Sequence, residues 1–316
     1  MKLIKKGFVC DDPTPTPSCH ASSIILLEDG NALAAWYGGT AEGDPDVLIW
    51  CSRRENGIWS KPECVSPEKG ISHFNPVLFR MEPDTITLFY KVGTSPATWK
   101  TMLRTTKNGG KTWTDAVEMV PGDDSGGRGP VKNKPLRTST GKILAPGATE
   151  RGPWRSFIDV FDGTKWTKKE LAVTLPNAEQ VNVIQPALWE DDRGHIHALL
   201  RSNQSCLLRT DSEDFGETWS DLYPTDLPSN NSGMDCIRLE NGLLVLACNP
   251  VAQDWGKRTP LSIFTSSDNG KTFEKQLDIE TEDHEFSYPY LVADSKKLYM
   301  TYTWKRKKVG YCEIEL

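Results

Sequence analysis

The sequence predicts an all-β protein: a six-bladed β-propeller of four-stranded antiparallel blades, with residues 1–316 forming a single domain. Three observations carry the prediction. A polar turn closed by an aromatic recurs along the chain, at TTKNGGKTW (105–113), SEDFGETW (212–219) and SSDNGKTF (266–273), with worn copies ENGIW and DGTKW. The closing aromatics Trp59, Trp113, Trp166, Trp219 and Phe273 are separated by 54, 53, 53 and 54 residues. A second phrase opens each repeat and occurs six times, each time running into an apolar, β-branched segment.

Taken in order, the first repeat opens at CHASSIILLEDG, returns as ALAAWY and closes at ENGIW. The second opens at FNPVLFRMEP and returns as TLFYK. The third pairs NKPLRTSTG with KILAP, the fourth IQPALWEDDRG with HALLR, and the fifth MDCIRLENG with LLVLACN. Each opening and return, usually joined by a glycine turn, reads as a hairpin. The sixth, SYPYLVADSK with LYMTYT, has no closing turn after it, so KLIKKGFV at the N-terminus is expected to supply its outer strand and close the ring without a long exposed edge. In the polar turns the carboxylate or amide can bond nearby backbone N–H groups, the glycine can take φ > 0, and the aromatic can pack between sheets. These turns are fold punctuation and not an active site.

Composition narrows the function. Net charge is −6, a quarter of the residues are charged, and no apolar run approaches the roughly 20 residues of a membrane span. No basic stretch is interleaved with aromatics, so neither nucleic acid nor membrane is an expected partner. The lysines near the start are not followed by an uninterrupted apolar stretch or a small-residue cleavage site, so a cytoplasmic protein is expected, or a secreted or periplasmic one if the chain is a mature form. The eight cysteines form no C-x-x-C pair, arguing against a zinc site or a dense disulfide framework. No cofactor or metal is required by any ligand spacing, although oxygen-only calcium sites in the turns stay open. Oligomeric state is not readable.

In a propeller the first strand of each blade lines the axis, which brings His20, Asn75, Lys134, Gln185, Asp235 and Tyr288 to one end. The second strands return there and add Tyr37, Lys91, Glu150, Arg201 and Asn249, followed by loops carrying Glu42, Asp44, Asp46 and Arg258. Convergent polar groups at the mouth of a β array are the default active-site hypothesis. The glycine-rich segment 122–135, with Arg128, Lys132 and Asn133, reads either as a substrate-covering loop or as a long connection; it has no Walker spacing.

With these turns, six repeats and ring residues, the chain resembles the sialidase (neuraminidase) superfamily, whose Asp-box repeats have this form, and most of all the bacterial sialidase-like proteins of the BNR-repeat type. The resemblance spans nearly all 316 residues. It implies three arginines gripping a substrate carboxylate, a tyrosine paired with a glutamate as nucleophile, and an aspartate as acid. Arg258, ending NPVAQDWGKR, lies thirty residues before Tyr288 in FSYPYL, similar to the last family arginine and the nucleophile. Arg201 in HALLRSN is similar to the second arginine, and Asp44 in EGDPDVLIWCSRR to the acid. Two places depart. Cys19-His20-Ala21 stands where the family has Arg-Ile-Pro, so His20 replaces the first arginine. NVIQP, with Val183 and Gln185, has no carboxylate where the family has its glutamate; Glu179 and Glu150 are the substitutes considered.

Three functions follow as expectations. A sialidase-type exo-glycoside hydrolase of a terminal acidic sugar would use Tyr288 as nucleophile and Asp44 as acid/base, with Arg201 and Arg258 clamping the carboxylate bidentately. Asn75, Lys91, Lys134, Asp235, Glu150 and Arg128 are the remaining candidate substrate ligands, with Gln185 in the place of the catalytic glutamate. A lyase would use His20 and Tyr288 for β-elimination on a uronate. A non-catalytic glycan binder would stack sugars on Trp99, Trp154 and Trp255, Trp36 being core.

Overall fold

The computed structural model describes residues 1–10, 14–66 and 68–316. Its strands form six antiparallel sheets, the blades of a β-propeller, and no α-helix occurs among the described residues. The chain divides into two compact units, residues 1–127 with 288–316, and residues 128–287.

The first unit holds three blades. One runs Ser18–Leu26, Ala32–Gly39 and Leu48–Glu55, its last position split between Ile58–Trp59 and Glu63–Cys64, which both pair with Leu48–Glu55. The next is His73–Glu82, Thr85–Val92, Lys100–Thr106 and Val117–Glu118. The third is Phe286–Ala293, Lys297–Trp304 and Lys308–Glu315, completed by the N-terminal strand Lys2–Phe8, which pairs with Lys308–Glu315. The second unit holds the other three. These are Leu136–Arg137 to Trp166–Glu170, Val183–Glu190 to Tyr223–Pro228, and Asp235–Arg238 to Glu274–Glu280, each an up-and-down meander of four strands.

The inner strands of each blade are apolar on both faces because sheets pack against them on both sides. In the first unit Ile24, Ala34, Trp36, Tyr290 and Tyr311 form one such buried layer, with Trp59 packed against it. In the second, Leu144, Ile158, Val183, Leu188, Leu200 and Leu208 form another, with Trp219 at its border; Phe273 borders a third around Trp189 and Leu246. Five of the eight cysteines are buried; burial pushes the Cys19 and Cys248 thiols up to about 12, so they act as small apolar groups. Among the described residues no helix is long and apolar enough to cross a membrane.

The repeated turns are built the same way three times. Asp268 accepts hydrogen bonds from Ser266 Oγ, the Lys271 and Thr272 amides and Thr272 Oγ1, while the Gly270 amide donates to Ser266 Oγ. Asp214 and Ser212 hold Thr218 and Gly216 in the same pattern, and Asn108 and Thr106 hold Thr112 and Gly110. A seven-residue segment thus satisfies its own backbone donors, which is why its sequence recurs. Gly216 has φ +84°, and a Cβ there would sit 2.9 Å from Leu144 Cδ1. Gly216→Ala is therefore expected to cost about 1–3 kcal/mol of stability, combining left-handed strain with overpacking. Urea denaturation checks this; an unchanged midpoint would contradict the packing described.

Candidate active site

In three first strands the ladder skips at the same place. Register breaks between His20 and Ser23, between Phe74 and Val77, and between Ile184 and Ala187, each leaving one extra residue on the inner strand. The bulged residues Ala21, Asn75 and Gln185 have φ of 50°, 45° and 58°, and Tyr288 has φ 54° at the corresponding place in SYPYL. A non-glycine residue in this region costs roughly 1–2 kcal/mol, so four such residues at one repeated position mark a place where the chain trades strain for side-chain aim. The bulges also correct the ring read from sequence: in the first blade the equivalent of Asn75 and Gln185 is Ala21, and His20 stands one residue earlier. The residues preceding the bulges, His20, Phe74 and Ile184, pair with Tyr37, Lys91 and Arg201.

In the first unit the bulges gather an aromatic and acidic cluster. The His20 and Tyr288 rings lie 4.1 Å apart, tilted by 49°, and Tyr37 meets His20 edge-on at 5.7 Å. All three side chains are buried. Thr303 Oγ1 sits 2.7 Å from His20 Nδ1 and accepts from the Ala21 amide at 3.2 Å, so the bulge itself positions the imidazole. The Tyr37 hydroxyl donates to Glu42 Oε1, and Arg306 Nη1 pairs with Glu42 Oε2 at 2.5 Å. Burial, reinforced by the Glu42 charge, pushes the Tyr37 phenol well above its ordinary range, so Tyr37 stays protonated and donates. Asp44 is half-buried in the same loop, which Asp46 closes by accepting from the Thr40 amide and hydroxyl. Asn75 is buried at its bulge, and Lys91, fully buried, donates to Thr101 Oγ1 at 2.7 Å. Trp99 is buried against Phe74 at 5.0 Å, which makes it a core residue and not the stacking platform its loop position suggested.

The second unit carries several buried or half-buried cations. Arg201, buried, donates from Nε to Asn231 Oδ1 at 2.8 Å and lies 3.4 Å from Gln185 Oε1; Asn231 in turn donates to Asp254. Its guanidinium is 5.3 Å from the Trp154 ring and 5.7 Å from that of Trp255, and the two indoles meet edge-on at 6.0 Å. Trp255 is 62% exposed. Lys134 pairs with the buried Asp235 at 2.6 Å, and Lys132 donates to the Met234 carbonyl at 2.6 Å. Arg258 pairs with Glu285 at 2.6 Å, with Ser287 nearby. Arg128 is committed to Asp159, which also accepts from the Gly129 amide, so this end of segment 122–135 is anchored. Glu150 is half-buried just past Ile143–Thr149, and Glu179 is exposed in the short turn Ala178–Gln180. Among the described residues no group of His, Cys, Asp or Glu is placed to hold a metal ion.

Burial pushes the Lys132 ammonium down to about 7, with the Asp235 charge opposing. Since the unfolded lysine titrates about three units higher, the unfolded chain binds the extra proton between those values, and this group makes stability rise with pH over that window. Relative to wild type, Lys132→Met is therefore expected to gain most near pH 6–7 and progressively less toward pH 9, read as the difference in urea midpoints. A difference that does not change with pH would contradict it.

The residues that sequence reasoning missed are Arg306, Thr303, Asn231 and Asp254, which orient the candidates. Glu42 and Tyr37 were visible, but not their bond.

The fold is a six-bladed β-propeller of the sialidase-like kind. The BNR repeat-like domain family matches residues 30–300, and the chain belongs to that family. Comparison with curated proteins finds no match. Among solved structures, a protein of unknown function from Dyadobacter fermentans is similar at a TM-score of 0.79 and 15% identity, covering 100% of this chain and 99% of that one. The NanB sialidase of Streptococcus pneumoniae is similar at 0.73 and 12%, covering 100% and 71%. The intramolecular trans-sialidase of Ruminococcus gnavus is similar at 0.74 and 12%, covering 100% and 98%.

Proposed function

We propose that the protein is an exo-acting glycoside hydrolase that removes a terminal acidic sugar, of the sialic or uronic acid type, from a glycan. The observation that carries the reading is the packing of His20 on Tyr288 at 4.1 Å. A phenol is a poor nucleophile near neutral pH unless a neighbouring base takes its proton. His20 is that base, in a chain whose fourth blade lacks the glutamate of the sialidases. Tyr288 Oη attacks the anomeric carbon as its proton passes to His20, the glycosidic C–O bond breaks, and Asp44 protonates the departing oxygen. Water, deprotonated by Asp44, then displaces the tyrosine, whose oxygen takes its proton back from His20. A tyrosine suits an anionic sugar because a carboxylate nucleophile would be repelled. The resemblance to sialidases makes Arg201 and Arg258 the candidate ligands of the sugar carboxylate.

The same His20–Tyr288 contact favours a second reading, β-elimination on a uronate. There one of the pair removes the proton α to the carboxylate and the other protonates the leaving oxygen. Incubating the protein with sialosides and uronate-terminated oligosaccharides, with products weighed by mass spectrometry, separates the two. Products summing to substrate plus water support hydrolysis. Fragments summing to the intact substrate, one unsaturated, establish the lyase, and saturable binding without product makes the protein a glycan binder.

A further inference from the structure

The second unit carries another cavity, of about 950 Å³, within the size range of small-ligand sites. It is lined from the hairpin turns at 191–195 and 238–243, the polar turn 267–271, and strands Cys206–Ser212 and Tyr223–Pro228. His197, in its wall, stands four residues before Arg201 on Ile196–Ser202, about 13 Å along an extended strand. The cavity is therefore distinct from the cluster around Arg201.

Its wall is fixed before any ligand arrives. Asp211 contacts His197 Nδ1 at 2.5 Å and accepts from Arg209 Nε at 2.9 Å and the Tyr223 hydroxyl at 2.6 Å. Trp189 donates to Asn269 Oδ1 at 2.7 Å, which turns the amide so that its Nδ2 faces His197 Nε2 at 2.8 Å; Asp191 Oδ2 lies 3.3 Å from the same nitrogen and Arg209 Nη2 3.1 Å from Nδ1, so the imidazole is held on both edges. Burial alone would raise the Asp211 carboxyl, but these donors outweigh it and hold it down at about 2. Tyr223 is 40% exposed, so its ring faces solvent while its hydroxyl is held.

Six carboxylates and four Arg or Lys side chains line the cavity, which disfavours an anion, and the density of polar groups disfavours an apolar ligand. A sugar ring satisfies both kinds of group, its C–H face on an oriented aromatic and its hydroxyls bridging carboxylates and cations. We propose that this cavity is a second saccharide site, for a neutral sugar, with Tyr223 as the stacking platform and the exposed Arg193, Glu213, Asp226 and Lys271 as hydroxyl ligands. It does not depend on Tyr288.

The test is titration of the intact protein with lactose, maltotriose and chitotriose, with glucuronate as the anionic control, read by ligand-observed NMR and calorimetry. At least one neutral probe is expected to bind, with Kd raised about tenfold or more by Tyr223→Ala. Tyr223→Phe, which keeps the ring, should retain most of the affinity, and Tyr288→Phe all of it. Because Asp226→Asn alters only an exposed rim residue, its weakening of binding stands even if Tyr223→Ala fails to fold. The proposal is overturned if no neutral probe binds, if binding is indifferent to both Tyr223→Ala and Asp226→Asn, or if it disappears with Tyr288→Phe.

Discussion

Tyr288→Phe is expected to lower kcat by about 10³-fold or more while leaving the melting curve of the protein near that of wild type. The ring is buried with its centroid 4.1 Å from that of His20, so phenylalanine keeps the contact and the volume and removes only the hydroxyl. The bulge that aims it is a backbone feature, φ 54°, which phenylalanine adopts at the same cost. Loss of turnover with the fold retained thus isolates the oxygen. Retention of full activity would remove Tyr288 from the chemistry. Tyr37 cannot take its place, because its hydroxyl is held protonated against Glu42.

The second large effect concerns Arg201. Arg201→Met is expected to lower kcat/KM by about 10²–10³-fold, chiefly through KM, because a desolvated hydrogen-bonded charge pair with the substrate carboxylate is lost. The loss should be much smaller against a substrate whose carboxylate is esterified, since the wild-type enzyme gains nothing from the guanidinium there. Arg201→Lys should recover only part of the activity, because an ammonium cannot reproduce the planar guanidinium fork whose Nε is fixed on Asn231. Equal losses on the acid and the ester would instead make Arg201 a structural residue that stacks on Trp154 and Trp255.

The blades were readable because each polar turn closes on itself. Asp268, Ser266 and Thr272 satisfy one another within seven residues, so the constraint is written in local sequence and repeats with the fold. The ring was readable where a proline follows the bulged residue, at Asn75-Pro76, Gln185-Pro186 and Tyr288-Pro289. The first blade bulges at Ala21 without that proline, so the sequence pattern pointed one residue early, to His20. In the third repeat NKP looked equivalent, but the left-handed residue there is Lys132, and the strand begins only at Leu136.

Contacts made across large separations left no such trace. Arg306 reaches Glu42 from 264 residues away, and Asn231 holds Arg201 from thirty. The cavity around His197 draws on hairpins from two blades, and no single segment of sequence distinguishes it from ordinary turns. Arg128 shows the converse: a cation in a glycine-rich segment suggested a ligand, and the structure commits it to Asp159. A charge is visible in sequence, but its partner is not.

Hydrolysis of the bond to an acidic sugar by Tyr288, with His20 as its base, is tested by running the reaction in heavy-oxygen water. The released sugar is expected to carry one heavy oxygen, and Tyr288→Phe is expected to abolish its formation. A released sugar with no heavy oxygen and a new double bond would contradict hydrolysis and assign His20 and Tyr288 to elimination.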